Sequence, residues 1–391
     1  MTPAARLQAA IEILDAVIAA ARDDGPPADA IVTRYFKSRR YAGSKDRRAV
    51  RELVFRAVRR SGERPETGRA AILGLVADEA ELIDLFGEPR GPEPFDACEL
   101  AATAGLLPQW LVTELSPCIT EAEWPALLER APLDLRVNIA RARREDVAKE
   151  FAGATPTSVS PWGIRLPADS RVDDRAAFAD GLVEVQDEGS QLIALACRAE
   201  NGQRIIDLCA GAGGKALALA AAAPEAEVLA TDSNRARLAK LAPRAERAGA
   251  QIAARLLSPP GELEQLADWQ GAADLVLVDA PCSGSGTWRR NPEGRWRLTP
   301  ERLDRLAEVQ RRLLDVAAEQ VRPGGRLVYA VCSLLSREGA GQVEDFLIRH
   351  SSWHVQEVPI AAGRNDGSGR LLTPAHDGTD GFFVACVQRP C

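Results

Sequence analysis

From about residue 186 onward, short apolar runs alternate with helix-like stretches, and this alternation limits the possible folds more than any other feature. Arg204-Ile205-Ile206-Asp207-Leu208 is an apolar run that enters a glycine-rich turn. Residues 216–223 then read as a helix, 227–231 as a second strand ended by Asp232, and 235–248 as another helix. Further strands are expected at 252–257, 274–279 and 326–331, with a helix over 300–321. Arg322-Pro323-Gly324-Gly325 is the stop and turn after that helix. The runs 353–359 and 381–388 are expected to close the sheet as a hairpin pair. Such alternation implies a mostly parallel, doubly wound sheet, with ligands at the carboxyl ends of its strands.

A chain of 391 residues exceeds what one core organises, so two or three domains are expected. Residues 1–125 read as helical, with apolar residues three and four apart in Leu7, Ala10, Ile11, Leu14, Val17 and Ile18. Ser44 is expected to cap a helix whose buried stripe is Leu53, Val54 and Val58. Residues 126–185 change character: Leu133-Asp134-Leu135-Arg136-Val137-Asn138 alternates like a strand, 146–151 reads as a helix, and 163–166 as another strand. This is expected to be a small α+β module, which leaves 186–391 as the α/β domain.

Net charge is −7, yet residues 34–60 hold eleven Lys or Arg against two acids. Such a patch can neutralise phosphates without reading sequence, or it can simply be a solvated helix face. No long apolar run or signal-like leader is evident, so a cytoplasmic protein is expected. The eight cysteines form no Cys-x-x-Cys pair and His is scarce, so neither a zinc site nor any other metal is expected. Cys98, Cys118, Cys197 and Cys386 read as structural thiols, and Cys391 as a tail residue.

Three segments carry chemistry. In Asp207-Leu208-Cys209-Ala210-Gly211-Ala212-Gly213-Gly214-Lys215 the glycines let a ligand approach the backbone between strand and helix. Asp232 ends the next strand, where a carboxylate can hold ribose hydroxyls. Gly211-x-Gly213-x-x-Ala216 also fits a dinucleotide fingerprint, so this motif alone leaves a dehydrogenase open. Asp279-Ala280-Pro281-Cys282-Ser283-Gly284 lies where a buried strand meets a loop, and Tyr329-Ala330-Val331-Cys332-Ser333 ends the next one. A carboxylate and two thiols on one sheet edge suit methylation of cytosine carbon 5. That carbon is a poor nucleophile until a thiolate adds to carbon 6. Spacing does not say which cysteine attacks. DNA cytosine-5 methyltransferases use a Pro-Cys cysteine, which points to Cys282.

These motifs, with Val185-Gln186-Asp187-Glu188-Gly189-Ser190-Gln191 and Asp380-Gly381-Phe382-Phe383-Val384-Ala385, resemble the RsmB/Sun family of RNA (cytosine-5) methyltransferases. Asp46 to Val54 resembles the NusB-like domain of some bacterial members, and Leu135-Arg136-Val137-Asn138 their small RNA-binding module. The resemblance implies a Rossmann-like domain with a seven-stranded, mostly parallel sheet. It implies S-adenosylmethionine as cofactor and RNA, most commonly ribosomal, as substrate, with transfer RNA or a purely RNA-binding role as alternatives. It makes Cys332 the nucleophile and Cys282 the residue that assists product release, with Asp279 contacting the base and the cofactor. Cys209, Ala210, Gly211, Ala212, Gly213, Gly214 and Lys215 line the cofactor, Asp232 binds its ribose, and Arg237 supports that site. A monomer that uses neither membrane nor metal is expected.

The chain departs from the family pattern in places. Gly211-Ala212 stands where the family has Ala-Pro, and Val331 where it has Thr before the nucleophile. Leu257-Ser258-Pro259-Pro260 lacks the acid that contacts adenine. After the catalytic loop, Trp288 to Arg297 carries four arginines and two tryptophans, which suit phosphate contact and base stacking on RNA or, alternatively, an ordered loop with Arg stacked on Trp.

Overall fold

Thr2 and Pro3 start the first helix, α1 (Pro3–Arg22). The Thr2 hydroxyl accepts the Ala5 N–H, and a proline at the first helical position has no N–H to leave unpaired. Leu7, Ile11, Ile13, Leu14, Val17 and Ile18 are all buried, wider than one helical stripe. Helix α1 is accordingly the hub on which α2 (Ala28–Lys37), α3 (Ser44–Arg60) and α4 (Gly68–Val76) pack. The computed structural model describes residues 1–391 and divides them into two units. These helices belong to the first, which comprises Met1–Leu115, Glu121–Glu129 and Thr287–Pro300. Gly43, not Ser44, is the N-cap of α3, and the Asp46 carboxylate accepts the Gly43 N–H at 3.2 Å. The buried stripe is Val50, Val54, Phe55 and Val58, with Leu53 half-buried.

The segment Thr287–Pro300 corrects the expectation of RNA contact. Trp288 and Trp296 are buried, and Trp296 belongs to the helical core. Three charged side chains of the segment meet three helix ends. The Glu293 carboxylate accepts the Ala28 N–H at the start of α2, at 2.9 Å. Arg295, fully buried, donates to the carbonyls of Val58, Arg59 and Ser61 at the end of α3, at 2.6, 3.1 and 2.9 Å. Arg297 donates to Ala20, Gly25 and Pro26 carbonyls where α1 ends. The signs match the helix dipoles, an acid at an N-terminus and cations at C-termini. These arginines are committed to orphan carbonyls and are not offered to phosphates.

The second unit holds the remaining chain and two sheets. The smaller is antiparallel, in the order β2 (Thr155–Pro156), β3 (Gly163–Leu166), β1 (Leu133–Val137), β4 (Val183–Val185). Its core is Leu135, Val137, Ile164, Leu166 and Val183. Asp187 caps the helix Glu188–Ala196 by accepting the Gly189 N–H, and the Glu188 carboxylate accepts the Val159 and Ser160 amides. The Gln186 to Gln191 motif thus joins the small sheet to the larger one.

The larger sheet has nine strands rather than seven. Strands β7 (Ala253–Leu256), β6 (Glu227–Asp232), β5 (Arg204–Asp207), β8 (Ala273–Asp279) and β9 (Val321–Val331) are parallel in that order. Strand β13 (Phe382–Gln388) pairs antiparallel with β9. It also pairs with β10 (His354–Gln356), as expected, and with β12 (Gly369–Leu372). The uncounted pair is the hairpin of β11 (Arg364–Asp366) with β12. Its first strand is polar, Arg364-Asn365-Asp366, so it carries no apolar alternation to reveal it. No helix is long and apolar enough to cross a membrane.

Replacing Arg295 with Ala leaves carbonyls at the end of α3 buried without a donor. The variant is expected to lose about 2–4 kcal/mol of stability. The midpoint of urea unfolding measures this, and an unchanged midpoint contradicts the capping role.

Candidate active site

The glycine-rich turn is built by backbone geometry. Gly211 has φ +58° and Gly213 φ +85°, a region that side chains rarely adopt. A Cβ on Gly213 would stand 2.2 Å from Leu241 Cδ1, so a larger residue there would have to move the Leu241 side chain as well as adopt the positive φ. The Ala210 N–H donates to the Thr231 carbonyl at 2.8 Å, holding the turn against β6. Asp232, the last residue of β6, accepts the Gly211 N–H at 2.8 Å and the Asn234 N–H at 2.7 Å. Each of its oxygens keeps one further acceptor position. Arg237 stands 3.9 Å away from it, a loose ion pair on an exposed side chain.

Lys215, Asp279 and Asp207 interact next to this turn. The Lys215 ammonium donates to Asp279 Oδ2 at 2.7 Å. Burial pulls Lys215 down, but Asp279 and other anionic groups outweigh it, and the ammonium is held above its ordinary value. Asp207 is fully buried, and neither of its oxygens has a hydrogen bond of good geometry. The Ala216 amide offers it only weak support. Burial, and then the Asp279 charge, push Asp207 up to about 7. Burial and the neighbouring carboxylates also push the Cys209 thiol well above its usual range.

Cys282 and Cys332 meet with their sulfurs 3.4 Å apart. Strand pairing explains this. Asp279 lies opposite Ala330 in the parallel β8–β9 ladder, and the Ala280 N–H extends it to the Ala330 carbonyl at 2.9 Å. Each strand then enters a loop within three residues, and each loop presents its thiol on the same edge. The Gly286 N–H donates to the Cys332 carbonyl at 3.0 Å, and the Gly286 carbonyl accepts the Gly381 N–H at 2.8 Å. Backbones touch there: a Cβ on Gly286 would stand 2.0 Å from the Gly381 oxygen. The Asp380-Gly381-Phe382 motif is therefore a brace for the cysteine loop. Hydrogen bonding to Cys332, burial and the charges of Cys332 and Glu338 push the Cys282 thiol well up.

The structure thus brings together Asp279, Cys282, Cys332 and Lys215, and sets Cys209 to Gly214 and Asp232 at the ends of the adjoining strands β5 and β6. The sequence reading missed Glu338, Gln310 and the hydroxyls of Ser283, Ser285 and Ser333, which surround the cysteine loops. Glu338 follows Cys332 by six residues, and nothing in its neighbours signals that it is buried.

The glycine turn after β5, the acid ending β6 and the antiparallel β13 beside β9 make a mixed, Rossmann-like sheet. Residues 193–388 match the family model for 16S rRNA methyltransferase RsmB/F. Ribosomal RNA small subunit methyltransferase B of Salmonella typhi is 34% identical over 290 residues, 72% of this chain and 66% of that relative. The same protein of Salmonella paratyphi A matches to the same extent, so the chain spans 66% of the length of these curated relatives. Among solved structures, PH0851 aligns over the whole of both chains with TM-score 0.76 and 21% identity. NSun6 from Pyrococcus horikoshii, solved with SFG, aligns over 68% of this chain and 92% of its own, with TM-score 0.60 and 21% identity. Both share the fold. The chain belongs to the RsmB/F family of rRNA methyltransferases, a family that depends on S-adenosylmethionine. The dehydrogenase alternative falls with that assignment.

Asp207 yields a pH prediction. Its folded value lies above the ordinary 3.8, so the native state binds this proton more tightly than the unfolded chain does. Its contribution to stability is present at low pH, declines as pH rises through about 4 to 7, and stays lost above. Asp207→Asn is expected to raise the melting temperature relative to wild type at pH 8 and not at pH 4. Equal differences at both pH values contradict the buried proton.

Proposed function

We propose that this chain transfers a methyl group from S-adenosylmethionine to carbon 5 of a cytosine in RNA, with ribosomal RNA as substrate. The observation that carries the reading is the 3.4 Å approach of the Cys282 and Cys332 sulfurs at the ends of neighbouring strands that also deliver Asp279. The cofactor fits the residues present. The carboxylates of Asp207, Asp232 and Asp279 stand at the ends of β5, β6 and β8 beside the Lys215 ammonium and the Arg237 guanidinium, and carboxylates there suit a sulfonium cation. The sulfonium supplies an electrophilic methyl group when bound. Cys209 to Lys215 line it, Asp232 takes its ribose hydroxyls on the acceptor positions left by the Gly211 and Asn234 amides, and Arg237 flanks Asp232.

Cys332 is the nucleophile in this reading. Its thiolate bonds to carbon 6, and the ring electrons move to carbon 5. Asp279, steadied by Lys215 at one oxygen, accepts the exocyclic amine N–H and, carrying a proton, donates to ring N3, which balances the charge that develops there. Carbon 5 then takes the methyl group. Release requires loss of the carbon-5 proton, return of that bonding pair to the ring, and departure of the Cys332 thiolate. Solvent water takes the carbon-5 proton, and the Cys282 thiol, adjacent to Cys332, gives its own proton to the sulfur as it departs. The base must be unpaired or turned out of its helix for carbon 6 to be reached. The division of labour we propose assigns RNA holding to residues 1–125 and 126–185, and chemistry to 186–391. Exposed Lys45 and Arg48 on α3 offer charge for phosphates.

Incubation with ribosomal RNA and methyl-labelled S-adenosylmethionine, followed by nucleoside analysis, is expected to give labelled 5-methylcytosine. Cys332→Ala is expected to reduce turnover by more than about 10³-fold. Asp232→Ala is expected to weaken cofactor binding by about 10- to 100-fold, read by calorimetry. Label in a different nucleoside, or in none, contradicts the proposal.

A further inference from the structure

Glu338 is fully buried in the loop that follows Cys332. A buried carboxylate is costly unless donors surround it. Three donors converge here. The Ser283 N–H at 2.8 Å and the Gln310 side-chain amide at 2.9 Å reach Oε1, and the Ser333 hydroxyl at 2.5 Å reaches Oε2. Ser283 directly follows Cys282, and Ser333 directly follows Cys332. One carboxylate therefore holds both loops at the residue next to each thiol. The Gln310 amide also donates to the Pro281 carbonyl at 3.0 Å, and the Tyr329 hydroxyl to the Glu338 carbonyl at 2.7 Å. The Ser285 hydroxyl lies 3.1 Å from that of Ser333 and accepts the Leu334 N–H at 2.8 Å. The Ser283, Gln310 and Ser285 bonds tie the Cys282 loop, the Cys332 loop and the helix Pro300–Gln320 to one another, while the Ser333 and Tyr329 bonds to Glu338 fix the Cys332 loop internally.

We propose that Glu338 is a positioning residue that clamps the Cys282 and Cys332 loops together and so sets the separation of their two thiols. It acts through hydrogen bonds to the neighbours of both cysteines. The proposal rests on the reading of the two thiols as one reactive site. Glu338 also contributes, behind Cys332 and burial, to holding the Cys282 proton.

Thiol spacing can be read without RNA or cofactor. Diamide takes two electrons and two protons from neighbouring thiols: two S–H bonds break, one S–S bond forms, and the diazene becomes a hydrazine. In the full-length protein, peptide mass spectrometry follows formation of the Cys282–Cys332 disulfide. Glu338→Gln presents an N–H where Ser333 needs an acceptor. It is expected to slow the disulfide by about 10-fold and to lower kcat on the order of 10²-fold with KM for RNA unchanged. Ser333→Ala removes one arm of the clamp, is the milder change for folding, and is expected to move both readouts the same way by a smaller factor. Wild-type disulfide rates in the folded variants overturn the clamp, whatever happens to methyl transfer. Slowed disulfide formation in a protein whose wild type transfers no methyl group upholds the clamp and removes the methylation reading instead.

Discussion

Strand β8 runs parallel to β9 with Val278 opposite Tyr329 and Asp279 opposite Ala330. This pairing fixes where the chain leaves the sheet on each side, and so where Cys282 and Cys332 stand. A slip of one residue would turn every side chain of β8 to the other face. Leu275, Val276, Leu277 and Val278 are all buried, as are Leu327, Val328, Tyr329 and Ala330, so both faces are apolar and the slip is opposed by side-chain volumes fitted to each face. Thiol apposition is thus a consequence of core packing, expressed at the carboxyl edge of the sheet.

Charge beneath the glycine turn tells the opposite story, of free energy spent for a site. Asp207, Asp232 and Asp279 lie near Lys215 and Arg237, three carboxyls against two cations, and neither oxygen of Asp207 has a hydrogen bond of good geometry. Packing alone gives no reason to keep an unpaired carboxyl in the middle of a sheet. A cationic ligand gives one, since it would offset the excess of negative charge that the fold leaves there. Cys209, pushed toward its neutral form by the same charges, packs beside the turn.

Much of this was legible in the sequence. The apolar runs of β5, β6, β8 and β9 and the glycines of the turn announced the parallel sheet and its ligand edge. Asp279-Ala280-Pro281-Cys282 and Cys332-Ser333 announced the thiols. What stayed hidden has a common physical cause: side chains whose role is set by distant backbone rather than by local pattern. Glu338 serves donors on other elements. Arg295 and Arg297 look like phosphate ligands but serve helix ends hundreds of residues earlier in the chain. The hairpin of β11 and β12 has a polar first strand. Ser44 resembled a cap, yet the chain turns one residue sooner and Asp46 closes the helix start instead.

The central claim is that two adjacent thiols divide one reaction, Cys332 forming the bond to the base and Cys282 helping to break it. The direct measurement is peptide mapping of any covalent protein–RNA complex formed when Cys282→Ala is incubated with RNA and S-adenosylmethionine. The account predicts a stable complex with the nucleotide attached at Cys332. A complex that instead accumulates in Cys332→Ala, with the nucleotide on Cys282, would contradict it and exchange the two roles.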